Sequence, residues 1–402
     1  MSDFPNSLFD TRSEFARDLP LELVAAWNAS AKTADAAQKL LAPFRVRGTV
    51  IVSDSVGLTR LSANRDPLEV MALINRPKEL VHEFGTAIGG IAVGLWTADN
   101  TEMFYPEGVA MDRIASMLLA LQDRIQSECE VQIGMAVHFD TFFLIGNSIY
   151  GKPANAVESL AEDRTAGGEI VFTEAAWNRL AASGEIRFSA IRRNESAATP
   201  NDGYRLIDGP RQNLNTRGNR RYPFPFSEDF YACLTAYYER RDLDSFRRDV
   251  LAEFSRRYTV LLTERETVLE EGEAGVLGEI AAAAVAHARG SYLLAATTGI
   301  EVKTAGSLSI YVFEQPDEAI KFAIRLREAL ALEGIRTRSG IASGEVLVFD
   351  LPGGGRDISG SPVNLASKVA QDYGEFGRIY VINESGTMSF AVGDMEIRAA
   401  VH

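Results

Sequence analysis

Lys303-Thr304-Ala305-Gly306-Ser307 and, further on, Asp357-Ile358-Ser359-Gly360-Ser361-Pro362-Val363-Asn364-Leu365-Ala366-Ser367-Lys368 are the stretches from which this chain becomes readable. A lysine, one carboxylate and an asparagine can grip a nucleotide, but they cannot hold two metal ions, which want several hard oxygen ligands. The complement lies earlier. Asp54, in Thr49-Val50-Ile51-Val52-Ser53-Asp54, stands 209 residues before Thr263, in Tyr258-Thr259-Val260-Leu261-Leu262-Thr263. Asn155 and Asn364 keep the same offset of 209, as do Gly168-Glu169-Ile170-Val171-Phe172 and Gly377-Arg378-Ile379-Tyr380-Val381, while Asp99 and Ser307 are 208 apart. Self-similarity at one long offset is the mark of a duplicated domain. In this alignment Asp54 and Asp99 of the first copy become Thr263 and Ser307, whereas Lys303 and Asp357 of the second become Leu95 and Ser148. One copy keeps the acids and the other keeps their partners.

Length and composition fit that division. At 402 residues there is room for two domains and connecting material. With 46% hydrophobic and 24% charged residues, each half can build its own core. A formal charge of −14 and a pI near 5.0 disfavour a surface for nucleic-acid backbone, which needs a clustered basic face. Cys129, Cys233 and four scattered histidines give neither a disulfide framework nor zinc-ligand spacing, and the thiols read as those of a reducing compartment. The start, Met1-Ser2-Asp3-Phe4-Pro5-Asn6-Ser7, lacks the basic and apolar regions of a signal peptide, and no apolar run approaches the roughly 20 residues of a membrane span. The expectation is a cytoplasmic protein with neither nucleic-acid nor membrane partners.

Residues 1–46 read as a helical extension, 47–206 as a first domain, 207–255 as a linker with a connecting helix, and 256–402 as a second domain. Residues 49–53 are a β-branched strand running into Asp54-Ser55-Val56-Gly57-Leu58-Thr59. Such a turn can set a metal beside backbone N–H groups suited to phosphate, although Asp54 alone reads equally well as an N-capping aspartate. A helix at 67–85, a hairpin with Ala98-Asp99-Asn100 at its tip, a helix at 109–129, a strand at 131–137 and a helix at 154–161 follow. The second copy repeats them with a strand at Tyr258, a helix at 279–289, a hairpin at 299–313, a helix at 316–332 and a strand at 337–342. Residues 351–356 are glycine-rich but lack the Lys-Ser/Thr ending of a P-loop. Each copy predicts an α+β fold with helices on one face of a mainly antiparallel sheet.

Three segments carry a more specific resemblance: Val52-Ser53-Asp54-Ser55-Val56-Gly57-Leu58-Thr59-Arg60-Leu61-Ser62, Lys303 to Ser307, and Asp357 to Lys368. Together they resemble the signature segments of class III adenylate cyclases, over residues 47–178 and 257–386. The resemblance implies two ferredoxin-like cyclase domains paired head to tail within one chain as a pseudodimer, with no homo-oligomer required to complete an active site. It implies an adenylate cyclase, a phosphorus–oxygen lyase that turns ATP into 3′,5′-cyclic AMP and pyrophosphate with two Mg²⁺ or Mn²⁺ ions. By position, Asp54 and Asp99 match the metal aspartates, Ser55 the adjoining ligand, and Val56, Gly57, Leu58 and Thr59 the turn that cradles phosphate. Lys303 and Asp357 match the adenine-reading pair, Asn364 matches the catalytic asparagine that orients the ribose, and Lys368 stands where the family usually has a catalytic arginine.

Residue chemistry agrees with this assignment. Hard cations want the carboxylates of Asp54 and Asp99. Lys303 can donate to a ring acceptor of adenine and Asp357 can accept from its exocyclic amine, whereas guanine presents the opposite pattern. Lysine at 368 keeps the charge of arginine without its planar fork. The mirror-image positions Leu95, Ser148, Asn155, Ser159, Thr263 and Ser307 lack the acids, the lysine and the basic residue, so this second site is degenerate. It reads either as a pocket for a small-molecule regulator or as a filled, vestigial cleft. Two further functional readings stand beside cyclisation of ATP: a nucleotide-binding regulatory pseudo-cyclase, and a cyclase with another base preference.

Overall fold

The computed structural model describes residues 20–55, 57, 61, 65–94, 96, 100–181, 184–191, 203–214, 216, 226–239, 244–266, 272–351, 355–382, 387–392 and 395–400. The chain divides into two compact units, one of residues 41–58 and 71–225, the other of residues 1–40, 59–70 and 226–402. Two helices, α1 (Leu21–Ala29) and α2 (Ala34–Leu41), precede the first strand.

The first sheet is built by β1 (Arg45–Ser55), α3 (Pro67–Ala87), β2 (Ile91–Val93), β3 (Thr101–Pro106), α4 (Met111–Glu128) and β4 (Ile133–Ile145). Then come β5 (Ser148–Tyr150), α5 (Lys152–Arg164), β6 (Ile170–Phe172), the short α6 (Glu174–Trp177), β7 (Arg187–Ile191) and β8 (Gly203–Asp208). Strand order is β2-β3-β1-β4-β6-β8-β7, with β5 folded back on β4. β1 is antiparallel to both β3 and β4, and β6 is parallel to β4. The order β2-β3-β1-β4 with α3 and α4 as crossovers is the ferredoxin-like split βαβ arrangement. Thr49 to Val52 take the central strand because β-branched side chains fit a pleated surface buried on both faces.

The second unit repeats this core. It opens with α7 (Glu228–Glu239) and α8 (Asp244–Phe254), the latter running without a break into β9 (Ser255–Arg265), followed by α9 (Gly272–Leu294), β10 (Ile300–Ala305), β11 (Leu308–Phe313), α10 (Pro316–Leu332) and β12 (Thr337–Leu351). β13 (Gly355–Ser359), α11 (Ser361–Lys368), a π-helical turn (Val369–Tyr373), β14 (Ile379–Ile382), β15 (Thr387–Val392) and β16 (Met395–Ala400) complete it. Strand order is β10-β11-β9-β12-β14-β15-β16, with β13 on β12. In the stretch expected as a connecting helix the described residues form α7 and α8, which are anchored by aromatic rings: Phe230 stacks on Phe349 of β12 at 4.4 Å, flanked by Phe226 and Phe254. α1 packs against α9. Among the described residues no helix is long and apolar enough to cross a membrane.

Two features depart from the expectation. Helices cover both faces of each sheet: α9 and α10 bury Leu261, Tyr311, Phe313 and Ile341, whereas α11 and the π-turn bury Val260, Leu262, Ile310 and Val312 on the other side. In the first unit α5 likewise covers Val50, Val52 and Phe104. The ends of the sheets also differ, since β8 lies beside β6 in one while β15, the earlier strand of its hairpin, lies beside β14 in the other.

Candidate functional site

The base-reading pair is formed within the second unit. In the hairpin β10–β11, Glu301 lies opposite Tyr311 and Lys303 opposite Ile310, so Val302 is the extra residue of a β-bulge. A bulge puts consecutive side chains on one face. Val302 and Lys303 therefore both turn toward the α11 face, and Lys303 Nζ sits 3.1 Å from each carboxylate oxygen of Asp357. Asp357, on β13 opposite Phe349, is 1% exposed and also accepts the Ile358 N–H at 2.9 Å. Gly360 caps α11, which places Asn364 and Lys368 one helical turn apart, both partly buried. The helix lies directly on β12 because Gly340 has no side chain: a Cβ there would come within 2.1 Å of Ala366 O. After Lys368 the chain widens into the π-turn, a distortion often found at functional sites, while the matching α5 stays regular.

Asp54 is in the first unit, half-buried at the end of β1, on the face that α5 covers. Ser55, the next residue, turns to the other face, where it is 5% exposed and its Oγ has no hydrogen-bond partner among the described residues. Only its backbone can therefore share a ligand with Asp54. Gly57 follows with φ of 81° and nothing within 4 Å of where a Cβ would sit. A hard oxygen donor beside an open turn of backbone suits a divalent cation carrying phosphate. Val56, Leu58, Thr59, Leu95 and Asp99 lie outside the described residues, among which no cluster of three or more His, Cys, Asp or Glu side chains is placed to hold a metal.

Strand registers correct the alignment of the two copies. Ser53 pairs with Thr101 and Met135, and Thr263 with Ser309 and Ser339; Met135 and Ser339 in turn pair with Ile170 and Ile379. Ser53 is thus the counterpart of Thr263, and Asp54 that of Glu264. Thr263 cannot stand in for Asp54, because a one-residue shift moves a strand side chain to the opposite face; it is buried there against Ser339 Oγ at 3.0 Å. The second copy has kept a carboxylate and given it a cation of its own, since Arg338 Nε donates to Glu264 Oε2 at 2.6 Å. Arg265 takes the place of Ser55 and donates to Ser309 Oγ at 3.2 Å and to the Gly306 carbonyl. Burial draws the Arg265 guanidinium down to about 10. Its backbone N–H bonds Ser307 O at 2.9 Å, so Ser307 belongs to the turn that this arginine holds.

Ser148 lies opposite Ile145 as Asp357 lies opposite Phe349, and Asn155 and Ser159, both exposed on α5, correspond to Asn364 and Lys368. Lys303 corresponds by register to Val93, which faces Glu102 on β3. Burial, then the nearby charge of Glu158, push the Glu102 carboxyl up to about 8 from its ordinary 4.5. A carboxyl that holds its proton more tightly when folded contributes stability that is complete below pH 4.5 and is lost as pH rises through 8. Glu102→Gln is therefore expected to melt several degrees above wild type at pH 8.5 and level with it at pH 4.5, as read by circular dichroism.

The sequence reading did not single out Glu301, Arg265, Arg338 or Lys78. The last is a fully buried lysine of α3, which donates to Trp96 O at 2.5 Å. Its signal was a lysine inside an otherwise apolar helical face, Leu73-Ile74 to Leu80-Val81.

No protein-family model and no curated protein sequence matches the chain. A solved structure of a class III adenylyl cyclase-like ATP-binding protein from Pseudomonas aeruginosa matches 84% of this chain and 83% of its own, with a TM-score of 0.53 at 12% identity. The chain has a class III nucleotidyl cyclase-like fold. Shorter matches to this cyclase-like chain include the adenylyl cyclase CyaB from P. aeruginosa, at 17% identity over 42% of this chain and 96% of that one, with a TM-score of 0.36. The guanylate cyclase domain of RhGC from Catenaria anguillulae matches at 15% identity over 42% and 99%, with a TM-score of 0.35.

Proposed function

We propose that this cyclase-like chain binds ATP and cyclises it to 3′,5′-cyclic AMP and pyrophosphate. The observation that carries the reading is the buried contact of Lys303 with Asp357, a donor and an acceptor side by side at 3.1 Å with little access to water. A purine set with its 6-position at Asp357 and its N1 at Lys303 must offer a donor at the first and an acceptor at the second, as adenine does, whereas guanine presents the reverse at those two positions. Asp54 and Asp99 would hold two Mg²⁺ or Mn²⁺ ions, which when bound acidify the ribose 3′ hydroxyl and neutralise the triphosphate. Asn364 orients the ribose so that its 3′ oxygen lies in line with the α-phosphorus. That oxygen forms the new P–O bond as the bond to pyrophosphate breaks, and Lys368 offsets the charge gathering on the phosphates. No protein nucleophile is needed.

Glu264 and Arg265 argue against a second catalytic centre of the same kind. The counterpart of the metal aspartate is already matched by Arg338, and a guanidinium occupies the next position.

Purified full-length protein with Mn²⁺ and each of the four nucleoside triphosphates, assayed by chromatography, tests the reading: ATP alone should give a cyclic nucleotide. A second reading, ATP binding without turnover, is favoured by Lys368, which cannot grip two phosphate oxygens as a guanidinium does. The two are separated by Lys368→Arg. If the missing fork limits the rate, that variant should turn over about 10²- to 10³-fold faster, the range for a single preorganised donor; an unchanged rate counts against the explanation.

A further inference from the structure

The bulge in β10 decides where Lys303 points, and a buried polar chain on the opposite face of the sheet holds it. In a regular strand, residues two apart share a face, so Glu301 and Lys303 would point the same way. The extra residue separates them. Lys303 goes to Asp357, while Glu301 and Thr304 meet on the α9 face, Thr304 Oγ1 donating to Glu301 Oε1 at 2.7 Å. From α9, His287 Nδ1 reaches the same carboxylate oxygen at 2.9 Å and Ser291 Oγ reaches the other at 3.2 Å. Thr304 Oγ1 also lies 2.9 Å from Ser309 Oγ, to which Arg265 donates. Glu301 is thus gripped from α9 and from its own strand, on either side of the bulge. In the first copy Ala92 takes its place opposite Met103, and the pairing passes straight to Val93 and Glu102 with no bulge between them.

We propose that Glu301 is the positioning residue for base recognition: its bonds to Thr304 and α9 pin the bulge, and the bulge aims Lys303 at Asp357. The proposal rests on the reading of Lys303 and Asp357 as the base-reading pair. It predicts that Glu301, which lies on the far face of the sheet, controls base preference.

The test is acetic anhydride labelling of the full-length protein without nucleotide, with modification of Lys303 followed by peptide mass spectrometry. Asp357→Asn calibrates a released lysine and should raise labelling several-fold. Glu301→Leu should come within about twofold of that value, because a lysine freed from its aim finds water rather than the apolar face. Thr304→Val, a milder change, should rise part of the way, and Glu301→Gln, which can still accept from Thr304, should stay near wild type. Wild-type labelling in both Glu301→Leu and Thr304→Val, each folded by circular dichroism, overturns the proposal, as does an Asp357→Asn variant labelled no faster than wild type. With ATP as substrate, Glu301→Leu should raise KM about 10-fold, with a smaller change in kcat, and narrow the preference for ATP over GTP. If the wild-type protein neither binds nor turns over ATP, the functional reading fails, and labelling still decides whether Glu301 aims the lysine.

Discussion

Asp54→Ala is expected to lower Mn²⁺-dependent cyclic AMP formation by about 10³-fold without unfolding the protein. Asp54 is half-buried next to the end of β1, a strand fixed by the β1–β3 and β1–β4 ladders and by the 2.6 Å contact of Ser53 with Thr101. Truncation leaves those bonds in place, so the fold should persist. Its effect on chemistry should be large, because a bound divalent cation supplies several kcal/mol of transition-state stabilisation, and about 4 kcal/mol corresponds to roughly 10³ in rate. Measuring product by chromatography against Mn²⁺ concentration checks this. A variant that retains a tenth or more of wild-type turnover would remove Asp54 from the metal site.

Lys303→Met should destabilise the second unit strongly, by about 3–5 kcal/mol, the usual cost of leaving one partner of a buried ion pair unmatched. Asp357 is 1% exposed, so water cannot readily replace the lysine. At roughly 2–4 °C per kcal/mol for a domain of this size, the second unit's transition should fall by about 10 °C. Asp357→Asn should cost less, about 1–3 kcal/mol, because the charge it leaves unmatched, on Lys303, is 16% exposed and can reach water. The double variant Lys303→Met/Asp357→Leu should recover most of the loss, since apolar replacement of a whole buried pair is often neutral. Calorimetry of the three variants closes the cycle. A Lys303→Met transition within about 2 °C of wild type would mean that Asp357 is not held by this lysine.

Much of the architecture was legible because it is written in repeated local patterns. A β-branched run before Asp54 and its echo before Thr263 revealed the central strands, and Asn155 and Asn364 at a constant offset marked matching positions on what the structure shows as α5 and α11. Lys303 and Asp357 were paired only through the resemblance to class III cyclases, as the residues that would read adenine, and the structure shows them in contact. A single offset was too rigid. The registers place β1 and β9 210 residues apart, β3 and β11 208, and β4 and β12 204, because the intervening loops absorb insertions. One residue of slip suffices to exchange Thr263 for Glu264, and with it the inference that the first acid had been lost. The bulge at Val302 was not readable at all, since its residue types fit a regular strand and only the partner strand reveals that Ile310 faces two residues. The retained carboxylate of Glu264 was hidden for a similar reason: its arginine partner, Arg338, comes from a neighbouring strand 74 positions away.

The unlike ends of the two sheets bear on how each half is assembled during synthesis. In the second, β15 can add to β14 as soon as it leaves the ribosome, and β16 then adds to β15, so growth is outward and stepwise. In the first, β7 emerges before β8 but lies beyond it, and has no neighbour in the sheet until β8 is in place. β7 can therefore join only with β8 as a hairpin or after β8 has docked, a less local route that favours slower acquisition of structure. Two copies of one ancestral pattern would then mature by different final steps, the earlier-made half completing its rim only after Asp208 has been polymerised.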